Sequence, residues 1–289
     1  MIKDYIALTK PRITWLILMS TGVGYFFGAQ KGLQGWTGWH FLTLIHTIVG
    51  TGLIASGTAA LNQWYERKAD GMMRRTQARP LPSGRLEPGP ALVFAIAISV
   101  AGFAELWFGA NPLAALLGLI TLLTYLFVYT PLKQRSPHST TIGAIPGAMP
   151  PLIGFAAATG TLTWDAWVLF AILFLWQFPH FYAIAWMYKE DYARAGIRML
   201  PVVEPDGRST ARRILLYSIA LIPISLMPKF FAMAGNVYLY GALALGVVFV
   251  YYGLRIRWDR TRQQARRVLL ASVIYLPLLF SLMLFDRPA

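Results

Sequence analysis

The sequence predicts an all-α integral membrane protein, and three observations carry that prediction. Hydrophobic residues make up 56% of the 289-residue chain and charged residues 13%, against about 45–50% and about 25% in ordinary soluble domains. The mean hydropathy is +0.52. Apolar runs approaching the roughly 20 residues that a membrane helix needs recur along the whole chain. A soluble enzyme, a disordered chain and a fibrous repeat are excluded by these numbers. The absence of cysteine also excludes disulfides, thiolate metal sites and cysteine nucleophiles.

Nine spans follow in order: Ile13–Gly28, Phe41–Leu61, Ala91–Phe108, Leu113–Tyr129, Ile142–Ala158, Ala166–Met187, Ile214–Phe231, Val237–Leu254 and Val268–Phe285. The first is too long for a typical signal peptide and no small-residue cleavage site follows it, so it reads as a retained helix. The third and fourth are separated only by Gly109–Pro112, which makes theirs the weakest of the divisions. Between the spans lie short connections and two longer segments, 62–90 and 188–213, within a single domain covering 1–289.

The net charge of +14 invites a nucleic-acid partner, but its distribution argues otherwise. With alternating spans, 23 of the 26 basic residues fall on the side of the N-terminus, leaving Lys31, Lys229 and Arg287 on the other. The positive-inside rule then places the N-terminus in the cytoplasm and the C-terminus outside. The basic excess is mainly topological.

Acids are scarcer and more informative. Seven of the 12 lie in the two longer cytoplasmic segments: Glu66, Asp70 and Glu87 in the first, Glu190, Asp191, Glu204 and Asp206 in the second. Both segments follow an even-numbered span, which suggests two related four-helix halves and a ninth helix. If the second span continues as a helix, Asn62, Glu66 and Asp70 share one face within about 80°. Such a stripe suits Mg²⁺, which takes one or two carboxylates plus phosphate oxygens. Arg74, Arg75 and Arg79 follow, and arginines pair with phosphate oxygens bidentately. Together these make a candidate diphosphate site, set against the plain reading of solvated charges pairing with their neighbours.

Across the end of the sixth span and the start of the second segment, His180 and Asp191 are eleven residues apart and return to one helix face if the helix continues. Pro179 is expected to kink that helix. A histidine within a span is a functional candidate, the alternative being a hydrogen bond to a neighbouring helix. Tyr125, Tyr129, Trp176, Phe178, Tyr182 and Trp186 form candidate aromatic walls, able to face a cation or to serve as packing and interfacial anchors.

The pattern Asn62-x-x-x-Glu66-x-x-x-Asp70, followed by Arg75-Thr-x-x-Arg79-Pro-Leu-Pro-Ser-Gly84, resembles the first acidic motif of the UbiA superfamily of intramembrane prenyltransferases. Three further stretches are similar to its haem branch, the protohaem IX farnesyltransferases: Tyr129-Thr-Pro-Leu-Lys133, Gly143-Ala-Ile-Pro-Gly147, and Pro179-His-Phe-Tyr running to Asp191-Tyr192 and Met199-Leu-Pro-Val-Val203. The likeness extends from about Lys10 to Val203. It implies nine helices bundled around a central cavity in the cytoplasmic (inner) membrane. It also implies farnesyl transfer from farnesyl diphosphate to a vinyl group of haem B, with water addition, giving haem O.

By position, Asn62, Glu66, Asp70 and Asp191 inherit the Mg²⁺–diphosphate role, and Arg75, Arg79, Lys133 and Lys189 inherit anion contacts. His180 is a candidate to ligate the haem iron or orient water. Haem A synthase or a terminal oxidase assembly is the implied protein partner. The sequence departs from the wider pattern at Glu66 and Gln63, where an Asp is usual, at Ala195, where a second Asp is usual, and at Arg198, where Pro is expected. Rival readings are a prenyltransferase for a quinone precursor or chlorophyllide, and a transporter. The transporter reading is weakened because most acids lie in the cytoplasmic segments and few ionisable groups sit at mid-span.

Overall fold

The computed structural model describes residues 1–32 and 38–287, and its elements are all helices. They are α1 (Ile2–Leu8), α2 (Pro11–Gly32), α3 (Gly38–Met72), α4 (Pro88–Gly109), α5 (Pro112–Leu123), α6 (Ser139–Ala148), α7 (Pro150–Thr159), α8 (Trp164–Met187), α9 (Lys189–Arg194), α10 (Leu200–Val203), α11 (Arg208–Phe230), α12 (Asn236–Trp258) and α13 (Arg262–Phe285). The chain continues past α5 through a π-helical segment, Thr124–Tyr129, and one turn at Thr130–Leu132. Among the described residues, eight helical stretches are long and apolar enough to cross a membrane, counting α5 with its continuation to Leu132 as one and α6 with α7 as another. The 22-residue α2 is not among them, because Ser20, Thr21 and several glycines dilute its apolar run. The side chain of Lys31, counted on the far side in the charge argument, lies outside the described residues.

Local chemistry explains the boundaries. Asn111 caps α5 by accepting from the Ala114 amide at 3.0 Å, with Pro112 in the first turn, so the break after Gly109 falls where it is expected. The fifth predicted span lies within one membrane-length stretch, Ser139–Thr159, which is built of two helices, α6 and α7, joined at Met149. Pro150 and Pro151 donate no backbone hydrogen bond and interrupt the ladder there. The segment 62–90 is not all loop either. Helix α3 runs unbroken to Met72, about 52 Å at 1.5 Å per residue, well beyond a hydrocarbon core of about 30 Å. The segment 188–213 likewise contains α9, α10 and the first turns of α11.

Close backbone approach holds the first half together. A Cβ on Gly24 would strike the Pro151 carbonyl, and one on Gly154 would strike the Thr21 carbonyl. Helices α2 and α7 therefore meet backbone to backbone, the small-residue packing typical of membrane helices. Helix α7 is buried from Pro150 to Ala157. In the second half, Tyr238 and Tyr275 donate to the Ser225 carbonyl and hydroxyl at 2.6 and 2.8 Å, tying α11, α12 and α13 together.

Candidate active site

The extension of α3 carries the first acidic stripe into the protein interior. Asn62 is 1%, Glu66 7% and Asp70 1% exposed. Burial of ionised carboxylates requires partners, and each polar group has one. Lys10 Nζ donates to Asn62 Oδ1 at 3.2 Å, and Asn62 Nδ2 donates to Thr130 Oγ1 at 3.2 Å. Lys133 Nζ donates to Glu66 Oε1 at 2.9 Å and Arg79 Nη1 to Asp70 Oδ2 at 2.7 Å.

The π-helical turn positions the opposing wall. The backbone N–H of Thr130 reaches back to the Tyr125 carbonyl, and the Thr130 hydroxyl donates to the same oxygen at 2.8 Å. Pro131, one residue on, cannot donate to the ladder. Single π turns of this kind cluster at functional sites, and here Tyr125, Tyr129 and Lys133 all face Glu66 across a cavity of about 190 Å³. Lys133 Nζ also sits 4.6 Å from the Tyr129 ring centroid. Burial alone would push the Lys133 ammonium down, but the Glu66 carboxylate outweighs it and holds the group well above its usual range.

Lys10 was read from the sequence only as a topological charge, yet it is central to the geometry. Its backbone is left-handed, with φ of 48°, an uncommon conformation outside glycine. Pro11 follows and disfavours the right-handed helical alternative. Burial, together with Arg79 and Lys133 nearby, pushes its ammonium down to about 8. Lys10, Ile13 and Tyr125 also line a second cavity of about 130 Å³, which is largely apolar and extends between α2, α3, α5 and α7. A charged mouth thus opens onto an apolar shaft.

The predicted residues divide by position. Asn62, Glu66, Asp70, Arg75, Arg79 and Lys133 line the polar cavity together. Asp191 stands beside it: its Oδ1 accepts from the Arg74 amide at 3.3 Å and from its neighbour Arg194. Arg75 donates to the Tyr192 hydroxyl at 2.8 Å and lies over the Tyr188 and Tyr192 rings. Lys189 is drawn off over the Trp186 ring, 4.2 Å from its centroid, and does not reach the cavity wall.

His180 also departs from expectation. Helix α8 passes through Pro179 without interruption and ends at Met187, and Tyr188, with φ −118° and ψ 22°, breaks the path to α9. The shared helix face predicted for His180 and Asp191 therefore does not form. His180 Nδ1 lies 2.8 Å from the Ser272 hydroxyl on α13, stacked on Trp176, while its neighbour Phe181 lines the cavity. Of the other candidate wall aromatics, Phe178 stacks on Tyr217, Tyr182 accepts from Arg213 and Trp186 donates to the Arg260 carbonyl. The first two join α8 to α11, and the third joins α8 to the connection between α12 and α13.

Metal fit follows from the same geometry. Among the described residues, no three of His, Asp and Glu come close enough to form a cage by themselves. Two buried carboxylates and an amide on the cavity wall, with Asp191 beside it and Lys and Arg already balancing them, fit a Mg²⁺ shared with phosphate oxygens rather than one enclosed by protein.

The chain belongs to the UbiA prenyltransferase family, which it matches over residues 17–280. It is 66% identical over 289 residues to the protoheme IX farnesyltransferase of Solibacter usitatus (strain Ellin6076), with 99% of each chain covered. Among solved structures it is similar to one concerned with digeranylgeranylglyceryl phosphate synthase in membranes, with a TM-score of 0.80 at 16% identity, covering 99% of this chain and 98% of that one. A UbiA homologue from Archaeoglobus fulgidus bound to GPP and Mg²⁺ superimposes with a TM-score of 0.67 at 16% identity, covering 97% of this chain and 99% of that one. At these identities the structural likeness concerns the fold.

Proposed function

We infer that the chain transfers the farnesyl group of farnesyl diphosphate to a vinyl group of haem B, giving haem O and diphosphate. The observation that supports this most is the junction at Lys10, Ile13 and Tyr125, which line both the polar cavity and the apolar one. A charged mouth joined to an apolar shaft suits an amphiphile with a diphosphate head and an isoprenoid tail. The acceptor is inferred from the full-length likeness to a protoheme IX farnesyltransferase.

The difficult step is heterolysis of the allylic C–O bond, whose electron pair leaves with the diphosphate. Lys10, Arg75, Arg79 and Lys133 lie at the mouth, where fixed positive charge favours the transition state over the ground state as that negative charge develops. Asn62, Glu66, Asp70 and Asp191 would hold a Mg²⁺ ion, which when bound would supply further charge stabilisation to the leaving group. The Tyr125 and Tyr129 rings, 4.9 Å apart between centroids, offer π-faces to the allylic cation. The terminal carbon of the haem vinyl group attacks C1 of that cation. Water then adds to the resulting carbocation beside the porphyrin and releases a proton, leaving a hydroxyethylfarnesyl substituent.

In the membrane the chain forms one domain of nine spans, α2 included, with the N-terminus and the polar mouth on the cytoplasmic side. The charge asymmetry supports that orientation. Haem A synthase or a terminal oxidase assembly receives the product. The deciding experiment incubates membranes holding this protein with farnesyl diphosphate and haem B, or with 4-hydroxybenzoate. The expected result is a mass for haem O alone, and loss of that product in excess EDTA. Prenylated 4-hydroxybenzoate would move the assignment to the quinone branch.

A further inference from the structure

We propose that the floor of the apolar cavity, built by Thr51, Ile54 and Gly118, sets the length of prenyl chain that the protein accepts. This rests on the reading of the polar cavity as a diphosphate site. From Asn62 at the mouth, the cavity follows α3 down through Thr58, Ala55 and Ile54 to Thr51. Eleven residues of helix cover about 16 Å, a depth comparable to three extended isoprene units. Opposite, Tyr125, Thr121 and Gly118 descend along α5 over the same interval.

Two features mark the lower end. Thr14, Thr58 and Thr121 on the cavity wall each donate their hydroxyl to a carbonyl of their own segment, at 2.9, 2.8 and 2.7 Å. That leaves their methyls for the cavity. Thr51 does not: its hydroxyl is fully buried and has no hydrogen-bond partner among the described residues. A buried polar atom left so is uncommon and calls for a reason. The hydroxyl has no surface on the cavity, so what Thr51 presents at the lower end is side-chain bulk that a longer chain would meet.

Gly118 is the second feature. A Cβ there would lie 2.8 Å from Ile54 Cδ1, the end of a flexible side chain that itself lines the cavity. Any side chain at 118 therefore shortens the shaft, directly or by displacing Ile54 into it. Neither Thr51 nor Gly118 touches the charged mouth, so both can be changed without disturbing the ionising groups.

The test measures binding of dimethylallyl, geranyl, farnesyl and geranylgeranyl diphosphates to the purified protein, together with transfer of each to haem B. Wild type is expected to favour farnesyl. Gly118→Ala and Gly118→Leu should shift preference progressively toward geranyl diphosphate, and Thr51→Ala toward geranylgeranyl diphosphate, by about tenfold or more in the ratio of affinities, the scale of apolar pocket discrimination. The opposite directions guard against simple misfolding. Unchanged length preference in both Gly118→Leu and Thr51→Ala would overturn the proposal, as expected if the tail leaves sideways past Ile13, which is exposed. Length-selective binding without modification of haem would leave the floor standing and remove the acceptor assignment.

Discussion

The two acid-bearing segments reach the same cavity mouth by different means. The first is a continuation of α3, and its Asn62, Glu66 and Asp70 stand on successive turns of one unbroken helix. Their partners come from elsewhere in the chain: Lys10 before α2, Lys133 after α5 and Arg79 in the following turn. The second segment breaks at Tyr188, and Asp191 sits on the six-residue α9, paired with Arg194 of the same helix. It meets the first through the Arg74 amide, which donates to Asp191, and through Arg75, which donates to the Tyr192 hydroxyl. The polar frame is thus centred on α3, with Asp191 attached at its edge.

Breaking that asymmetry is the largest effect on offer. Asp70→Asn removes a carboxylate 1% exposed at the centre of the frame, and a loss of haem O formation of about 10²–10³-fold is expected, the scale for removing one preorganised electrostatic group. Asp191→Asn should lose roughly a tenth as much, because Asp191 stands beside the cavity wall that Asp70 lines. Initial rates in membranes with matched protein levels measure both. Equal losses would show that the two segments contribute alike.

The pair Glu66–Lys133 comes next, since it tests stability and turnover separately. Both side chains are largely buried, at 9% and 14% exposure. Lys133→Met leaves the Glu66 carboxylate uncompensated, which costs about 3–5 kcal/mol for a buried pair. Adding Glu66→Gln should restore most of the melting temperature in detergent while activity stays lost. Recovery of activity in the double variant would reduce the pair to a structural strut.

These partners explain what the sequence could and could not reveal. The stripe Asn62–Glu66–Asp70 was legible because helical periodicity holds wherever the helix is continuous, and α3 is continuous to Met72. The same extrapolation from His180 to Asp191 failed because the backbone leaves the helical path at Tyr188. Lys10 was missed for another reason. A lysine before the first span satisfies the positive-inside rule without further explanation, and neither its left-handed backbone nor its reach to Asn62, 52 residues away, leaves a local pattern. The π-helical turn at Thr124–Tyr129 announces itself only through Pro131, which could equally have ended a helix. The helical membrane class was carried by composition and the family by the resemblance of its motifs, whereas the ion pairs depend on contacts between distant segments.

A smaller effect is expected from Lys10→Met. The substitution keeps an apolar stem at the junction of the two cavities and removes one positive charge. The KM for farnesyl diphosphate should rise about tenfold, within the range for a hydrogen bond to a charged group, with kcat reduced less. Lys10→Arg should recover part of the affinity. A fall in kcat alone would place Lys10 with the groups that act only on the transition state.

The smallest effect should come from the second half, at Ser272. Its hydroxyl donates to the Leu269 carbonyl at 2.6 Å, which leaves its lone pair to accept from His180 Nδ1 at 2.8 Å. That assignment puts the imidazole proton on Nδ1. Trp176 is bound to the Ser272 carbonyl at 2.8 Å, a contact that Ser272→Ala preserves. The variant therefore loses the hydroxyl bonds alone, worth about 1 kcal/mol, and turnover should stay within about twofold of wild type, since the histidine it holds lies off the cavity wall. Thermal unfolding and haem O formation measure the two quantities on one preparation. A large loss of turnover with unchanged unfolding, rescued by Ser272→Thr, would return His180 to the reaction and make α13 a supporting wall of the site that α3 otherwise dominates.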